Sequence, residues 1–323
     1  MTEIFLIIFA LIFVNFSVAF AQWTLPEKGL QLQGEEKQNF IKNRIDIFFG
    51  RAQGEIPPRN FEIPNGWSYE KFQLDGVNCE MLENPQAETD RVVLQLHGGG
   101  YILPLTDINR YIATKQLMLA RAKKIFLLDH RLAPENIFPA ARDDAVKIYK
   151  EILRSGINPE KIIVIGDSAG GNLALALCLF LRENNLPQPK MLILISPWAT
   201  VENNLPSRKF NFERDALLGK NNFDFYLGVE NPAYAKNLNK KNPHLSPIYA
   251  DLKNFPAMLI QAGGYEIFLS DCIELAKKAA SDDVKVTLTI YPEMSHDFAM
   301  DFEDLQESLD SWREIQNFID QNS

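Results

Sequence analysis

The stretch that most constrains the fold of this chain is Gly166-Asp167-Ser168-Ala169-Gly170, followed by Gly171. It fits G-x-S-x-G, the pattern of a serine held on a sharp turn between a strand and a helix. Before it, Lys161-Ile162-Ile163-Val164-Ile165 is short and β-branched, as a buried parallel strand is. After it, residues 172–181 are rich in Ala and Leu and apolar on nearly every face, which predicts a helix buried against a sheet. Such a turn needs small neighbours, because the serine takes a strained backbone conformation and the helix passes close to the strand. A chance match in a loop would lack both flanks.

The rest of the chain repeats that alternation. Residues 35–52 space Phe40, Ile41, Ile45, Phe48 and Phe49 as an amphipathic helix, and Pro57, Pro58 and Pro64 then break the chain into a linker. Residues 67–74 and 77–82 read as two strands around the tight-turn dipeptide Asp75-Gly76. Residues 91–96 form a strand running into His97-Gly98-Gly99-Gly100-Tyr101, and 124–129 a strand running into His130-Arg131-Leu132-Ala133-Pro134-Glu135. A helix at 140–154, the serine strand, and a strand at 190–195 ending in Ser196-Pro197-Trp198 follow. The rhythm stops over about 200–256, a stretch rich in Asn, Lys and Pro with interleaved aromatics, read as short helices inserted above the sheet. It resumes with strand 257–261, helix 271–280, strand 284–291 and a last helix whose apolar face is Phe302, Leu305, Leu309, Trp312, Ile315 and Ile319. Strands and helices alternating in this way predict an α/β fold, a mostly parallel sheet flanked by helices on both faces.

Composition narrows the function. The chain has 323 residues, 46% hydrophobic and 23% charged, enough for one large α/β domain with an insertion or for two ordinary domains. Its formal charge is −9 and it has no basic stretch, which argues against nucleic acid as a partner. No glycine-rich phosphate loop ending in Lys-Ser or Lys-Thr occurs, so nucleotide hydrolysis lacks support. Residues 4–20 are almost wholly apolar and end in Ala19-Phe20-Ala21, the small-x-small pattern of a signal-peptidase site. The run is shorter than the ~20 residues a membrane span needs. The expectation is therefore a signal peptide over 1–21 and an exported chain from Gln22; retention of 4–20 as a membrane anchor is the alternative. Cys79, Cys178 and Cys272 are too few and too scattered for a disulfide framework and read as small core residues.

A serine hydroxyl needs a base beside it to attack at neutral pH. Of the four histidines, His97 precedes three glycines, His130 follows a strand end, and His244 lies between prolines of the insertion. His296, in Glu293-Met294-Ser295-His296-Asp297-Phe298, lies between the last strand and the last helix, at the sheet edge where such folds bind ligands. The base needs a carboxylate to orient it. Glu266, the first acid after strand 257–261, is the candidate, with Asp271 its competitor, placed to cap the following helix. Charge building on a carbonyl oxygen needs preorganised donors, for which the amides of Ala169, Gly98 and Gly99 are placed.

Together, His97-Gly98-Gly99-Gly100, Arg131-Leu132-Ala133-Pro134-Glu135, Gly166 to Gly171, Ser196-Pro197-Trp198 and Met294-Ser295-His296-Asp297-Phe298 resemble the hormone-sensitive-lipase-type α/β-hydrolases, a group that includes bacterial acetyl esterases and arylacetamide deacetylases. The resemblance runs from about 91 to 298. It implies an α/β-hydrolase domain over 22–323 with a helical cap built from about 28–60 and about 200–256. It also implies carboxylic-ester hydrolysis through an acyl-enzyme, without a cofactor, by Ser168, His296 and Glu266 with an oxyanion hole at Gly98, Gly99 and Ala169. A compact cap suits small esters of short to medium acyl chain. Two positions depart from the family: His130 stands where many relatives have tyrosine, and Tyr265-Glu266-Ile267-Phe268 replaces an Asp-Pro-Leu string. Amide hydrolysis uses the same machinery, and a ligand-binding protein on this scaffold is the reading from another class. Homo-oligomers are compatible with all of these.

Overall fold

The computed structural model describes residues 24–52 and 61–323. After α1 (Gly34–Ala52) comes a hairpin of β1 (Ser68–Leu74) and β2 (Val77–Glu83). Asp75 and Gly76 join the two strands with φ of 49° and 82°, the left-handed pair that a two-residue hairpin turn requires. Then β3 (Val92–Leu96), α2 (Asp107–Leu119), β4 (Lys124–Asp129), α3 (Ala140–Arg154), β5 (Ile162–Asp167), α4 (Ser168–Glu183) and β6 (Met191–Ile195) alternate. Short helices α5 (Ser207–Phe210) and α6 (Phe223–Glu230) occupy the insertion, as expected. The alternation resumes with β7 (Ala257–Gly263), α7 (Leu269–Ser281), β8 (Val286–Tyr291), α8 (Phe298–Asp301) and α9 (Gln306–Gln321).

The eight strands form one sheet in the order β1-β2-β4-β3-β5-β6-β7-β8. The pairs β1–β2 and β2–β4 are antiparallel, and every other pair is parallel. Side chains on a strand alternate between faces, so strands without polar residues feed two cores at once. Ile162, Val164, Leu192 and Leu194 pack with Tyr149, Leu173, Leu177 and Leu275 from α3, α4 and α7. Ile163, Ile165, Ile193 and Ile195 pack with Ile41, Ile112, Leu117, Trp312 and Ile315 from α1, α2 and α9. Each such side chain contributes about 1.5–3 kcal/mol of burial. All three cysteines are buried free thiols.

Several boundaries differ from the sequence reading. Helix α2 was not anticipated: its buried positions include Thr114, Lys115 and Gln116, which dilute the apolar period. Its start is marked by Asn109 Oδ1 accepting from the Thr106 amide at 2.8 Å, where the usual sequence signal has Glu or Gln. Helix α7 begins two residues earlier than expected, so Asp271 lies inside its first turn rather than capping it. Phe302 and Leu305 are buried but precede α9, in the link from α8. The expected leader over 1–21, and the linker residues 53–60, lie outside the described residues. Among the described residues, no helix is long and apolar enough to cross a membrane.

Residues 24–37 are stitched to the other end of the chain. The Gly29 amide donates to Gln306 Oε1 at 2.9 Å, Leu30 bridges to Leu305, and Lys37 pairs with Glu307 and Glu293 at 2.6 and 3.3 Å.

At the sheet's centre β5 turns into α4 within one residue. A methyl on Gly166 would run into the Gly170 carbonyl, and one on Gly170 into the Leu96 carbonyl. Both obstacles are backbone, which cannot rotate away. Gly170→Ala is therefore expected to cost at least about 3 kcal/mol, the upper range for overpacking, read as a fall in the denaturant midpoint or loss of soluble protein.

Candidate active site

The turn into α4 holds Ser168 at φ 50°, a left-handed conformation costing a non-glycine residue about 1–2 kcal/mol. Backbone contacts hold it there, among them the Trp198 amide donating to the Ser168 carbonyl at 3.0 Å. Ser168 is also the first residue of α4, so the following amide, Ala169, belongs to the helix's unpaired positive end.

The loop from β8 to α8 brings His296 to this serine, with Nε2 2.9 Å from Ser168 Oγ. Glu266, just past β7 and completely buried, faces the other ring nitrogen: its Oε2 is 3.7 Å from His296 Nδ1. That is an ion-pair distance, longer than a hydrogen bond, and contacts of this kind commonly tighten only around a substrate. Asp271 goes elsewhere. Its carboxylate takes the Arg208 guanidinium at 2.9 Å and the Thr200 amide at 3.1 Å, in a buried pair on the insertion side. Burial pushes the Glu266 carboxyl above the usual range, against the pull of His296 and the Ser196 hydroxyl. Burial also disfavours the charged imidazole, but the charges of Asp297 and Glu266 outweigh it and hold His296 well above its ordinary value.

Three supporting residues escaped the sequence reading. Ser196 had entered only as part of a motif; its hydroxyl donates to Glu266 Oε2 at 2.5 Å and accepts from the Asp297 amide at 3.1 Å. Asp215, from the insertion and buried, accepts from the amides of Leu217, Leu218 and Ile267 at 3.0, 3.1 and 2.9 Å. The His296 amide approaches it at 3.5 Å. One carboxylate thus ties the insertion to the loop of Glu266 and the loop of His296. Asp167 accepts from the Gly98 amide at 2.8 Å. An acid directly before Ser168 was visible in the sequence; the tie that Asp215 makes between loops was not, because Ile267 and His296 lie 52 and 81 positions away.

The Gly98 bond corrects one expectation. That amide is committed to Asp167 and cannot also face a substrate oxygen. The next two amides, Gly99 and Gly100, have no acceptor among the described residues. His97 steers this loop. A carbonyl only accepts, so Nδ1 carries the proton and donates to the Gly98 carbonyl at 2.7 Å. That carbonyl and the Gly99 N–H share one planar peptide and point opposite ways, so holding the first aims the second. Behind His97 the His130 ring stacks at 4.5 Å and 7°. Burial, and then the neighbouring His130, push His97 down to about 3, which keeps it neutral.

Beside the site, the insertion's aromatics divide. Phe225 and Tyr226 pack on the core, whereas Phe210 and Phe223 are half exposed. Arg208, Phe210, Phe212 and Tyr226 line a groove of about 820 Å³. The Arg208 guanidinium lies 4.2 Å from the centre of the Phe268 ring, whose edge-on neighbour at 4.8 Å is His296.

A mostly parallel sheet, a serine on its central turn, and then a carboxylic acid and a histidine from later loops, in that chain order, define an α/β-hydrolase. The alpha/beta hydrolase fold family matches residues 93–300, and the chain belongs to it, within the hormone-sensitive-lipase type. An esterase of Acinetobacter venetianus is 34% identical over 229 residues, covering 71% of this chain and 74% of that protein. An acetyl-hydrolase of Streptomyces hygroscopicus is 34% identical over 268 residues, covering 79% and 87%. Among solved structures, an esterase from the bacterial hormone-sensitive lipase family superposes with a TM-score of 0.78 at 28% identity, covering 90% of this chain and 99% of that one. A hormone-sensitive-lipase homologue from a metagenome library gives 0.78 at 32%, covering 91% and 99%.

Proposed function

We propose that the protein hydrolyses small carboxylic esters through an acyl-enzyme on Ser168. The observation that carries this reading is the 2.9 Å contact between Ser168 Oγ and His296 Nε2, made across 128 positions of sequence. In acylation Ser168 gives its proton to Nε2 while Oγ bonds to the carbonyl carbon. The tetrahedral oxyanion is met by the amides of Gly99, Gly100 and Ala169. His296 then passes the proton to the leaving alkoxide as the ester C–O bond breaks. Water repeats the sequence: His296 takes its proton, its oxygen bonds to the acyl carbon, and Ser168 leaves with the proton returned. Glu266 holds the imidazole and stabilises its charged form.

The inserted segment serves as the cap, and its groove takes the acyl chain. The relatives named for ester and acetyl hydrolysis support this substrate class. Purified protein assayed on p-nitrophenyl esters of increasing acyl length should show its highest kcat/KM among short and medium chains. Preference for very long chains would reject the cap's proposed role, and no turnover of any ester, with Ser168 unreactive to a fluorophosphonate, would reject the enzyme.

A further inference from the structure

The reaction above uses Glu266 on the Nδ1 side of His296. It gives no part to the carboxylate on the other side. Asp297 Oδ2 lies 3.1 Å from His296 Nε2, the nitrogen that also faces Ser168 Oγ at 2.9 Å. We propose that Asp297 is a positioning residue acting through His296, a second carboxylate beside Nε2 that governs when the imidazole holds or releases its proton. The proposal rests on the ester-hydrolase reading and deepens it.

The placement is built into the backbone. Asp297 has φ 52°, a left-handed conformation that aspartate and asparagine tolerate better than most residues. Its amide donates to Ser196 Oγ at 3.1 Å, and that hydroxyl donates to Glu266 at 2.5 Å. One serine thereby links the Glu266 carboxylate to the backbone of Asp297. Only about an eighth of the Asp297 side chain is open to solvent (13%), and its second oxygen is buried without a partner. Water screens the contact little.

The titratable and charged groups around His296 come from every element packed on it. Glu266 approaches from the loop after β7, with the Cys272 thiol of α7 behind it at 3.5 Å. Asp215 approaches from the insertion and addresses the His296 backbone amide. Asp167, at the end of β5, is lifted by burial and by the Asp297 charge well above the usual carboxyl range, while its oxygen holds the Gly98 amide. The Arg208–Asp271 pair lies behind the Phe268 ring. Of these groups, Asp297 is the one placed at Nε2.

Two opposite effects follow. An anion beside Nε2 favours the proton on that nitrogen, so in the resting enzyme it stabilises the imidazolium, which cannot accept the serine proton. During acylation the same anion stabilises the imidazolium as it forms, which makes His296 a stronger base once it is free. Asp297 thus displaces activity toward higher pH and raises the plateau there.

The test is Asp297→Asn, whose side chain suits the left-handed backbone, with Asp297→Gly as a second variant that also suits it. Imidazole NMR titration follows His296 in the full chain, assigned with His296→Gln, and kcat/KM on p-nitrophenyl acetate is measured across pH. Loss of a charge at this distance should move the His296 midpoint and the acid limb of kcat/KM down by about one unit or more. One unit below the wild-type midpoint, relative activity should then rise about five-fold, from roughly a tenth to a half of the plateau, while the plateau itself falls. A midpoint within about 0.3 unit of wild type, or above it, overturns the proposal, because shifts of one to three units are ordinary for a charge this close. The NMR arm decides this even if Ser168 fails to label with fluorophosphonate in the wild type, an outcome that would remove the esterase reading alone.

Discussion

Ser168→Ala is expected to lower kcat on p-nitrophenyl acetate by about 10⁴–10⁶-fold, the range seen when a serine hydrolase loses its nucleophile, with little change in melting temperature. The side chain loses one oxygen, whose hydrogen-bond partner is His296 Nε2. Alanine is as disfavoured as serine at φ 50°, so the substitution neither relieves nor adds backbone strain. No cavity opens beyond a single atom, and the turn remains fixed by Gly166, Gly170 and the Trp198 amide. What remains is binding and the amides around the oxyanion, which leave a small rate above water. Covalent labelling by a fluorophosphonate should vanish in the variant and be stoichiometric in the parent. Retention of more than about a tenth of the activity would place the nucleophile elsewhere, since no other group supplies losses of this size.

The second large effect separates two buried acids five residues apart. Glu266→Gln should lower kcat by about 10²–10⁴-fold. Glutamine keeps the volume and still accepts from Ser196, but it cannot stabilise an imidazolium, and its amide group facing Nδ1 selects the wrong tautomer for accepting the serine proton. Asp271→Asn should instead act on stability. It leaves the buried Arg208 without its counter-charge, a loss of about 3–5 kcal/mol when such pairs are broken on one side. Activity per labelled serine should change far less than in Glu266→Gln. Active-site titration alongside thermal melts measures both, and a larger loss of kcat per labelled site in Asp271→Asn would transfer the orienting role to Asp271.

The sequence was most legible where the chemistry is local. Ile162 to Ile165 read as a doubly buried strand, and the glycines around Ser168 as a close strand–helix approach, and the structure has both. The pairing of His296 with Ser168 was readable from chain order and position at a strand's carboxyl end. Legibility ended where a role depends on partners distant in sequence. Gly98 looked like a free donor because nothing local announces that Asp167, 69 positions on, takes its amide. Asp271 looked like a helix cap until Arg208, 63 positions away, proved to be its partner. Asp215 holds two loops together from a segment whose composition resembles a surface connection. Helix α2 was obscured for the opposite reason, because polar side chains share its buried positions.

The stitching of the first described residues to α9 sets an order of events at the ribosome. Gly29 waits for Gln306, and Lys37 for Glu307, partners synthesised 277 and 270 residues later. During synthesis the sheet's central strands can pair as they emerge, while the polar ties of residues 29–37 wait for residues 293–307. His296 emerges only shortly before α9. The polar ties between α1 and α9 thus form late, and the nascent chain cannot bring Ser168, Glu266 and His296 together until residue 296 has emerged.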